Sequence, residues 1–288
     1  MRGFVMIYNT LSYSQIDSFN QCPQKWAYRY IDKIKVDNPS LPLEFGTAIH
    51  ETLEELLIQL KFGNKLDIGT AIVLYDKKTQ PLYEIFEQEE AHEKIKQGRT
   101  AIINLVNQQN FYERLNGAKI LGIEEPFLLS LPTIIRGQEI DIKVKGFIDL
   151  IFEKDQRIYV VDHKSSKKAF DKSKRMNNLQ LPIYFMAVKK LYDKEPYSGI
   201  YNFTQIDKEQ EVLYTNKRTQ AMKDEMAKRG AKTIWAKTEQ ETKKEIIEIA
   251  RKMNNEKERV KTNPSFLCHW CDYKAICKNA SNFKPKGE

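Results

Sequence analysis

Residues 146–164 read GFIDLIFEKDQRIYVVDHK, two apolar runs joined at Asp155-Gln156. Runs rich in Ile, Val, Phe and Tyr predict strands, here over 139–153 and 157–164. If Asp155-Gln156 closes an even-numbered hairpin, Asp149 falls directly opposite Asp162 and the two carboxylates become neighbours. Lys164 lies beyond Asp162 on the same face, because side chains alternate with period two. A slip of one residue would turn the acids to opposite faces, so the register is a testable commitment. Phe147, Ile151, Ile158 and Val160 line one face, and Ile148, Leu150, Phe152, Tyr159 and Val161 the other. A sheet that is apolar on both faces needs helices on both sides, which predicts an α/β fold with a central mixed β-sheet flanked by helices. Two aspartates and a lysine set into such a sheet are costly unless a metal or mutual pairing compensates them.

Moving outward, 119–130 reads as the preceding strand, and 197–205 and 210–215 as two more at an edge. Further upstream the pattern turns helical. Ser12-Tyr13-Ser14-Gln15 is a capping box with Leu11 and Ile16 as its hydrophobic staple, so a short helix begins at Ser12 and stops before Pro23. Pro23 opens a second helix carrying Trp26, Tyr30 and Ile31 along one side, with Cys22 at its N-cap, where the helix dipole favours an ionised thiol. Ile49, Leu53, Leu56, Leu57 and Leu60 recur at helical spacing from about Phe45 to Leu60 and leave His50 at the border of the stripe, able to reach into a cleft. Another helical stretch runs from about Leu82 to Leu115 with an interruption near Gly98, and the weakly patterned 61–80 reads as a connection with some helix. Asn178 to Tyr192 is helical, with Pro182 tolerable only in the first turn and with Gln180 and Tyr184 stacked at i and i+4. Residues 217–262 read as mostly helical and charged.

The 288 residues are 41% hydrophobic and 30% charged, ordinary for a globular chain with a substantial core. A single domain is expected, with a helical part at 1–118, the sheet core at 119–215 and a basic helical part at 216–288. No apolar run is long enough for a membrane-spanning helix and no secretory signal layout is present, so the expected location is cytoplasmic. Thiols stay reduced there. Cys22, Cys268, Cys271 and Cys277 then read as a metal site stapling distant segments, in preference to two disulfides. One remote thiol joined to C-x2-C-x5-C departs from the paired knuckles of structural zinc and favours iron–sulfur over zinc. Net charge is +8, with 14 basic against 8 acidic residues in 217–261 and 6 against 1 in 163–175. Positive charge beside Asp162-His163-Lys164 suits a polyanionic substrate, although a solvated lysine-rich surface gives the same pattern.

Phosphodiester hydrolysis requires charge neutralisation on the phosphate and an activated water, and a cation between two carboxylates supplies both. Magnesium prefers oxygen ligands, so Asp149, Asp162 and the main-chain carbonyl of His163 would hold it with positions left open. Lys164 would orient or help deprotonate the water, or stabilise the pentavalent charge. Asp-x-Lys alone usually marks an exposed ion pair, and its weight here comes from the paired strand. His50 alone is more often a surface histidine, and Gln180 and Tyr184 alone are more often a helix face between solvent and core.

Leu11-Ser12-Tyr13-Ser14 leading to Cys22-Pro23, Gly46 to His50, Gly146-Phe147-Ile148-Asp149, Val161-Asp162-His163-Lys164, Gln180 to Tyr184 and the last three cysteines follow one another in a specific order and spacing. Together they resemble the PD-(D/E)xK nuclease superfamily, in particular its RecB/AddB-like branch, over almost the whole chain. The resemblance implies a restriction-endonuclease-like core and a catalytic set of His50, Asp149, Asp162 and Lys164 around Mg²⁺ or Mn²⁺. It implies that Gln180 and Tyr184 line the site and contact DNA. It also implies that Cys22, Cys268, Cys271 and Cys277 hold a four-iron, four-sulfur (4Fe-4S) cluster that joins the termini and supports the fold. Asp162 stands where many members have glutamate, and its shorter side chain would shift the metal. No G-x-x-x-x-G-K-S/T phosphate loop is present, so ATP-driven unwinding would come from a partner helicase or recombination protein.

The expectation is therefore a metal-dependent DNA exonuclease acting on single strands or ends in recombination, repair or phage DNA metabolism. Substrate would enter a basic cleft between the sheet and the 45–60 helix, with Lys167, Lys168, Lys172, Lys174 and Arg175 on phosphates. The alternative is a non-cutting DNA-binding subunit that keeps the fold. Intact His50, Asp149, Asp162 and Lys164 speak against it, since a retired site has no reason to retain costly buried charge.

Overall fold

In the computed structural model Asp155 and Gln156 both adopt the left-handed conformation, with φ of 51° and 59°. This is the geometry of a type I′ turn, whose twist matches that of the strands it joins. Lys154 then pairs with Arg157, and the ladder runs through Glu153 and Ile158, Phe152 and Tyr159, and Ile151 and Val160, to Leu150 and Val161. That is the expected register, and one further step sets Asp149 across from Asp162. The structure describes residues 7–36, 41–107, 109–228 and 230–279.

Strand β1 (Thr10–Leu11) is followed by helices α1 (Tyr13–Gln21), α2 (Pro23–Tyr30), α3 (Leu41–Lys61), α4 (Ile68–Thr79), α5 (Leu82–Ile85), α6 (Gln88–Asn107) and α7 (Gln109–Leu115). Next come strands β2 (Lys119–Ile135), β3 (Gln138–Lys154) and β4 (Arg157–Lys164), helices α8 (Lys172–Asn177) and α9 (Gln180–Tyr192), and strands β5 (Pro196–Phe203) and β6 (Lys208–Leu213). Helices α10 (Gln220–Ala227), α11 (Glu239–Met253) and α12 (Glu256–Arg259) and a 3-10 turn at Phe266–Trp270 complete the order. None of the described helices is long and apolar enough to cross a membrane. Contacts divide the chain into two compact units, one of Met1–Asn38, Leu128–Gly146 and Glu241–Glu288, the other of Pro39–Phe127 and Phe147–Gln240.

In the first unit the capping box at Ser12 is complete, with Gln15 donating its N–H to the Ser12 hydroxyl and accepting from the Ser12 N–H. The staple residues Leu11 and Ile16 are both buried. Pro23 occupies the first turn of α2, where its missing N–H costs nothing. Trp26 is fully buried and meets Tyr8 and Phe19 edge-on, at centroid distances of 5.2 and 5.3 Å. Asn254 is buried and mimics a strand partner, accepting from the Tyr8 N–H and donating to the Tyr8 carbonyl, each at 2.8 Å. Thr10 and Leu11 pair in parallel with Lys143 and Val144.

In the second unit β4 lies between β3, antiparallel to it, and β5, parallel to it, while β6 is antiparallel to β5, so the sheet is mixed. Leu150, Phe152, Val161 and Ile200 share a core with Ile49, Leu53, Leu56 and Leu57 of α3, Tyr75 of α4 and Ile102 of α6. On the opposite face α9 approaches so closely that a Cβ on Gly199 would stand 2.7 Å from Leu181. Helices therefore cover both faces, as the apolar pattern requires. Phe147 is the exception, 59% exposed.

Three expectations change. The strand expected at an edge over 197–205 is interior, because the β4–α9–β5 order is a crossover that sets β5 parallel beside β4. Helix α6 runs unbroken through Gly98, and the interruption falls at residues 86–87. The 61–80 connection contains a full helix, α4, whose N-cap Asp67 accepts from Gly69 and Thr70.

Candidate active site

Every residue of the expected catalytic set belongs to the second unit. Period-two alternation along β4 sends Asp162 and Lys164 one way and His163 the other. The His163 ring accordingly turns into the core, edge-on to Phe111 at 5.6 Å and with Nδ1 3.3 Å from Asn202 Nδ2. Burial, then the nearby positive groups His50 and Lys164, hold that ring down at about 3, so it stays neutral. What His163 contributes to the site is its main chain. Its N–H donates to Asp149 Oδ2 at 2.7 Å.

Asp149 Oδ2 also lies 3.5 Å from His50 Nδ1, which α3 brings to the edge of the sheet. Asp162 is 1% exposed, and its Oδ2 meets Lys164 Nζ at 2.7 Å. Lys164 Nζ donates in addition to Gln180 Oε1 at 2.8 Å, and Gln180 Nε2 donates to the Tyr184 hydroxyl at 3.1 Å. The i, i+4 pair on α9 thus forms a relay that fixes the lysine amine. Burial, and then the charge of Asp162, pushes Asp149 up to about 8. Burial lowers His50, and burial with the neighbouring acids keeps Tyr184 a phenol well past its ordinary range.

Sequence reading missed Glu124. It projects from β2, and its carboxylate, His50 and Asp149 offer ligand atoms within 4.8 Å of one another, the one such three-residue group among the described residues. Asp162, expected beside His50 and Asp149 as a ligand, is outside that group and is taken up by Lys164. Burial and the charge of Asp149 push Glu124 up to about 7. Two acids, Glu124-Glu125, inside an apolar strand and followed by Pro126, were the available signal.

The cleft beside these groups is lined by Gly46, His50, Glu51, Glu54, Glu124 and Asp149. It lies between α3 and the sheet as expected, but its walls are acidic instead of basic. A cleft that concentrates carboxylates attracts a cation first, and phosphates can follow only once that charge is neutralised. The basic loop residues are placed variously. Lys167 and Lys168 are exposed, Lys172 donates to the Lys228 carbonyl at 2.6 Å, Lys174 sits 4.3 Å above the Phe170 ring, and Arg175 is half-buried.

The four cysteines all belong to the first unit and line one cavity with Lys25, Tyr28 and Tyr273. Cys22 is the N-cap of α2, but its side chain makes no capping hydrogen bond. No three of the sulfurs come within 4.8 Å of one another, so a bound cluster is not shown. Burial pushes the Cys271 thiol up, so ligation would have to displace its proton.

The family model for the PD-(D/E)XK nuclease superfamily matches residues 10–278. No curated protein matches the chain. The solved structure described as "Crystal structure of SSO0001" is similar at 14% identity, with 96% of this chain and 89% of that chain covered and a TM-score of 0.42.

Proposed function

We propose that this chain, which belongs to the PD-(D/E)XK nuclease superfamily, is a deoxyribonuclease dependent on Mg²⁺ or Mn²⁺ that acts on single strands or strand ends. One observation carries the reading: Asp149 and Asp162 are buried on adjacent, paired strands, with the His163 N–H donating to Asp149 Oδ2 at 2.7 Å and the Lys164 amine 2.7 Å from Asp162. The donors fit such a cation, since carboxylates and main-chain oxygen suit Mg²⁺ and the imidazole of His50 suits Mn²⁺ as well. Bound there, the cation would neutralise phosphate charge and ease ionisation of the attacking water. Asp149, clamped by the His163 N–H, keeps one oxygen orientation throughout. Lys164, held between Asp162 and Gln180, keeps its amine beside the reacting phosphate, where it orients the water or stabilises the developing charge. Tyr184 remains a hydroxyl donor for a phosphate oxygen at any physiological pH.

In this reading Lys167 and Lys168 meet the DNA backbone, and a partner helicase or recombination protein supplies strands in a cytoplasmic setting. Cys22, Cys268, Cys271 and Cys277 hold a 4Fe-4S cluster. Zinc at about 2.3 Å from each sulfur sets tetrahedral thiolates about 3.8 Å apart, whereas each thiolate of a four-iron cluster binds a different iron and stands farther off. What favours the cluster over zinc in this reading is the sequence spacing, one remote thiol joined to C-x2-C-x5-C.

The test is incubation of wild type and Lys164→Ala with end-labelled single- and double-stranded DNA plus Mg²⁺ or Mn²⁺. Wild type is expected to degrade DNA only with the cation, and binding is expected to weaken steeply with salt. Equal degradation by both proteins would remove Lys164 from the mechanism.

A further inference from the structure

We infer that the His163 and Asn202 side chains form a positioning pair for cleavage, acting from the sheet face turned away from the cleft. The inference rests on the nuclease reading above and adds two side chains that reach neither cation nor DNA. His163 and Asn202 are directly paired on the parallel strands β4 and β5 and are 2% and 0% exposed. They meet through Asn202 Nδ2 and His163 Nδ1 at 3.3 Å. An amide nitrogen only donates, so Nδ1 accepts and the ring proton sits on Nε2.

Packing alone does not call for this pair. The preceding pair on the same face, Val161 and Ile200, is fully buried in the apolar core, and Phe111 closes over the His163 ring edge-on at 5.6 Å. His163 Nε2 and Asn202 Oδ1 have no hydrogen-bond partner among the described residues. Burying a polar atom without a partner costs free energy that an apolar pair of the same shape does not. Local costs of this kind concentrate at functional sites.

The main chain above the pair is such a site. The His163 N–H donates to Asp149 Oδ2 at 2.7 Å, and His50 hydrogen-bonds to the His163 main chain. Both contacts depend on how the peptide planes flanking residue 163 are turned. Strand side chains stand roughly perpendicular to the sheet, so a ring pinned by Asn202 fixes residue 163 about its own Cα and with it the aim of that N–H. Asp162 and Lys164, bonded to residue 163 on either side, inherit the same setting. An apolar side chain would fill the space without this directional tie.

The test sets stability against turnover. His163→Leu/Asn202→Val replaces both polar groups by apolar ones of similar size, and in EDTA it is expected to melt no lower than wild type because the orphaned polar atoms are gone. Its cleavage rate at saturating DNA and Mn²⁺ is expected to fall about tenfold or more, with KM for DNA unchanged. Asp162-His163 is the one Asp-His step in the sequence, so carbonyl-¹³C aspartate with ¹⁵N histidine singles out the His163 amide by nuclear magnetic resonance. That amide is expected to lose protection from solvent exchange in Asn202→Val while the other histidine amides keep theirs. Ser198→Ala, which removes the 2.6 Å bond to Glu211 on the same face of β5, is expected to leave the His163 amide and the cleavage rate unchanged. Asn202→Ser, which shortens the side chain without adding bulk, takes the place of the double variant should that protein not fold. Cleavage at the wild-type rate in the double variant or in Asn202→Ser overturns the inference. So does a joint loss of Tm and cleavage that leaves the His163 amide protected, since the pair is then structural only. A wild type that cleaves no DNA with either cation overturns the parent reading and the positioning role together.

Discussion

The main-chain N–H of His163 donates to Asp149 Oδ2 at 2.7 Å, so the strand carrying one acid sets the orientation of the other. A hydrogen bond of this kind contributes about 0.5–1.5 kcal/mol net, which offsets part of the penalty of holding two acids in a buried sheet.

That penalty predicts how stability depends on pH. Asp149 at about 8 and Glu124 at about 7 are raised above their ordinary values of 3.8 and 4.5, so the native chain keeps protons that the unfolded chain releases. Their contribution to stability is fully present below about pH 4 and is lost as pH rises through about 7 to 8. His163, lowered to about 3, acts oppositely, and its contribution is lost as pH falls below 6.5. In excess EDTA the wild-type Tm is therefore expected to fall between pH 6 and about 8.5. Asp149→Asn should remove much of that slope, and added Mg²⁺ should raise Tm most at the alkaline end. A flat wild-type curve in EDTA would contradict the buried acid.

Lys164→Ala separates chemistry from binding. It leaves Asp162, 1% exposed, without its cation, and cleavage at saturating Mg²⁺ is expected to fall about 10²–10³-fold. Cation affinity should hold or rise, because a repelling ammonium is gone. Lys164→Arg is not expected to rescue, since a planar guanidinium does not fit the point between Asp162 and Gln180 and does not release a proton. Gln180→Ala removes one of two contacts on the amine and should cost about tenfold. Single-turnover rates with a parallel Mn²⁺ titration decide between these outcomes.

Gly98→Ala tests packing instead of chemistry. Alanine normally stabilises a helix interior over glycine by about 0.5–1 kcal/mol. Here the added Cβ would meet Tyr75 Oη at 1.8 Å and Phe45 Cε2 at 2.8 Å. Overpacking of that kind costs about 1–3 kcal/mol, so the net effect is expected to be a lower Tm by thermal melting. A gain in Tm would mean that Tyr75 swings aside freely.

Gly98 also shows where local reading stops. Its residue type signalled a break, but the cause of the glycine is a ring from α4, and no window around residue 98 contains Tyr75. The Asp149–Asp162 register was legible because a two-residue turn and a period-two pattern are both local, and so were Ser12 and Pro23 as helix starts. Strand β5 was misplaced because its position depends on a crossover and not on its own composition. Glu124 was missed because periodicity assumes a regular strand, and its carboxylate reaches His50 through a break in that regularity.

The cysteine cavity carries the last prediction. Cys22 is separated from the other three by more than 240 residues, yet all four line one wall with Tyr28 and Tyr273. Without a cluster the Ser265-to-Cys277 segment has few apolar anchors, since Tyr273 is buried while Phe266 and Trp270 are 61% and 75% exposed. A segment that buries so little depends on a covalent or metal staple. Anaerobically purified protein is expected to carry about four irons and four sulfides per chain and to absorb visible light. Cys22→Ser should lose iron and render the 265–277 segment sensitive to limited proteolysis, because it cuts the one tie between that segment and α2 that a cluster provides. Stoichiometric zinc in a colourless sample would put an ion in place of the cluster. A metal-free wild type with a protease-resistant segment would show that Tyr273, through the Tyr28 ring and the Ile34 carbonyl, and the Lys25–Asp272 ion pair hold it without a metal.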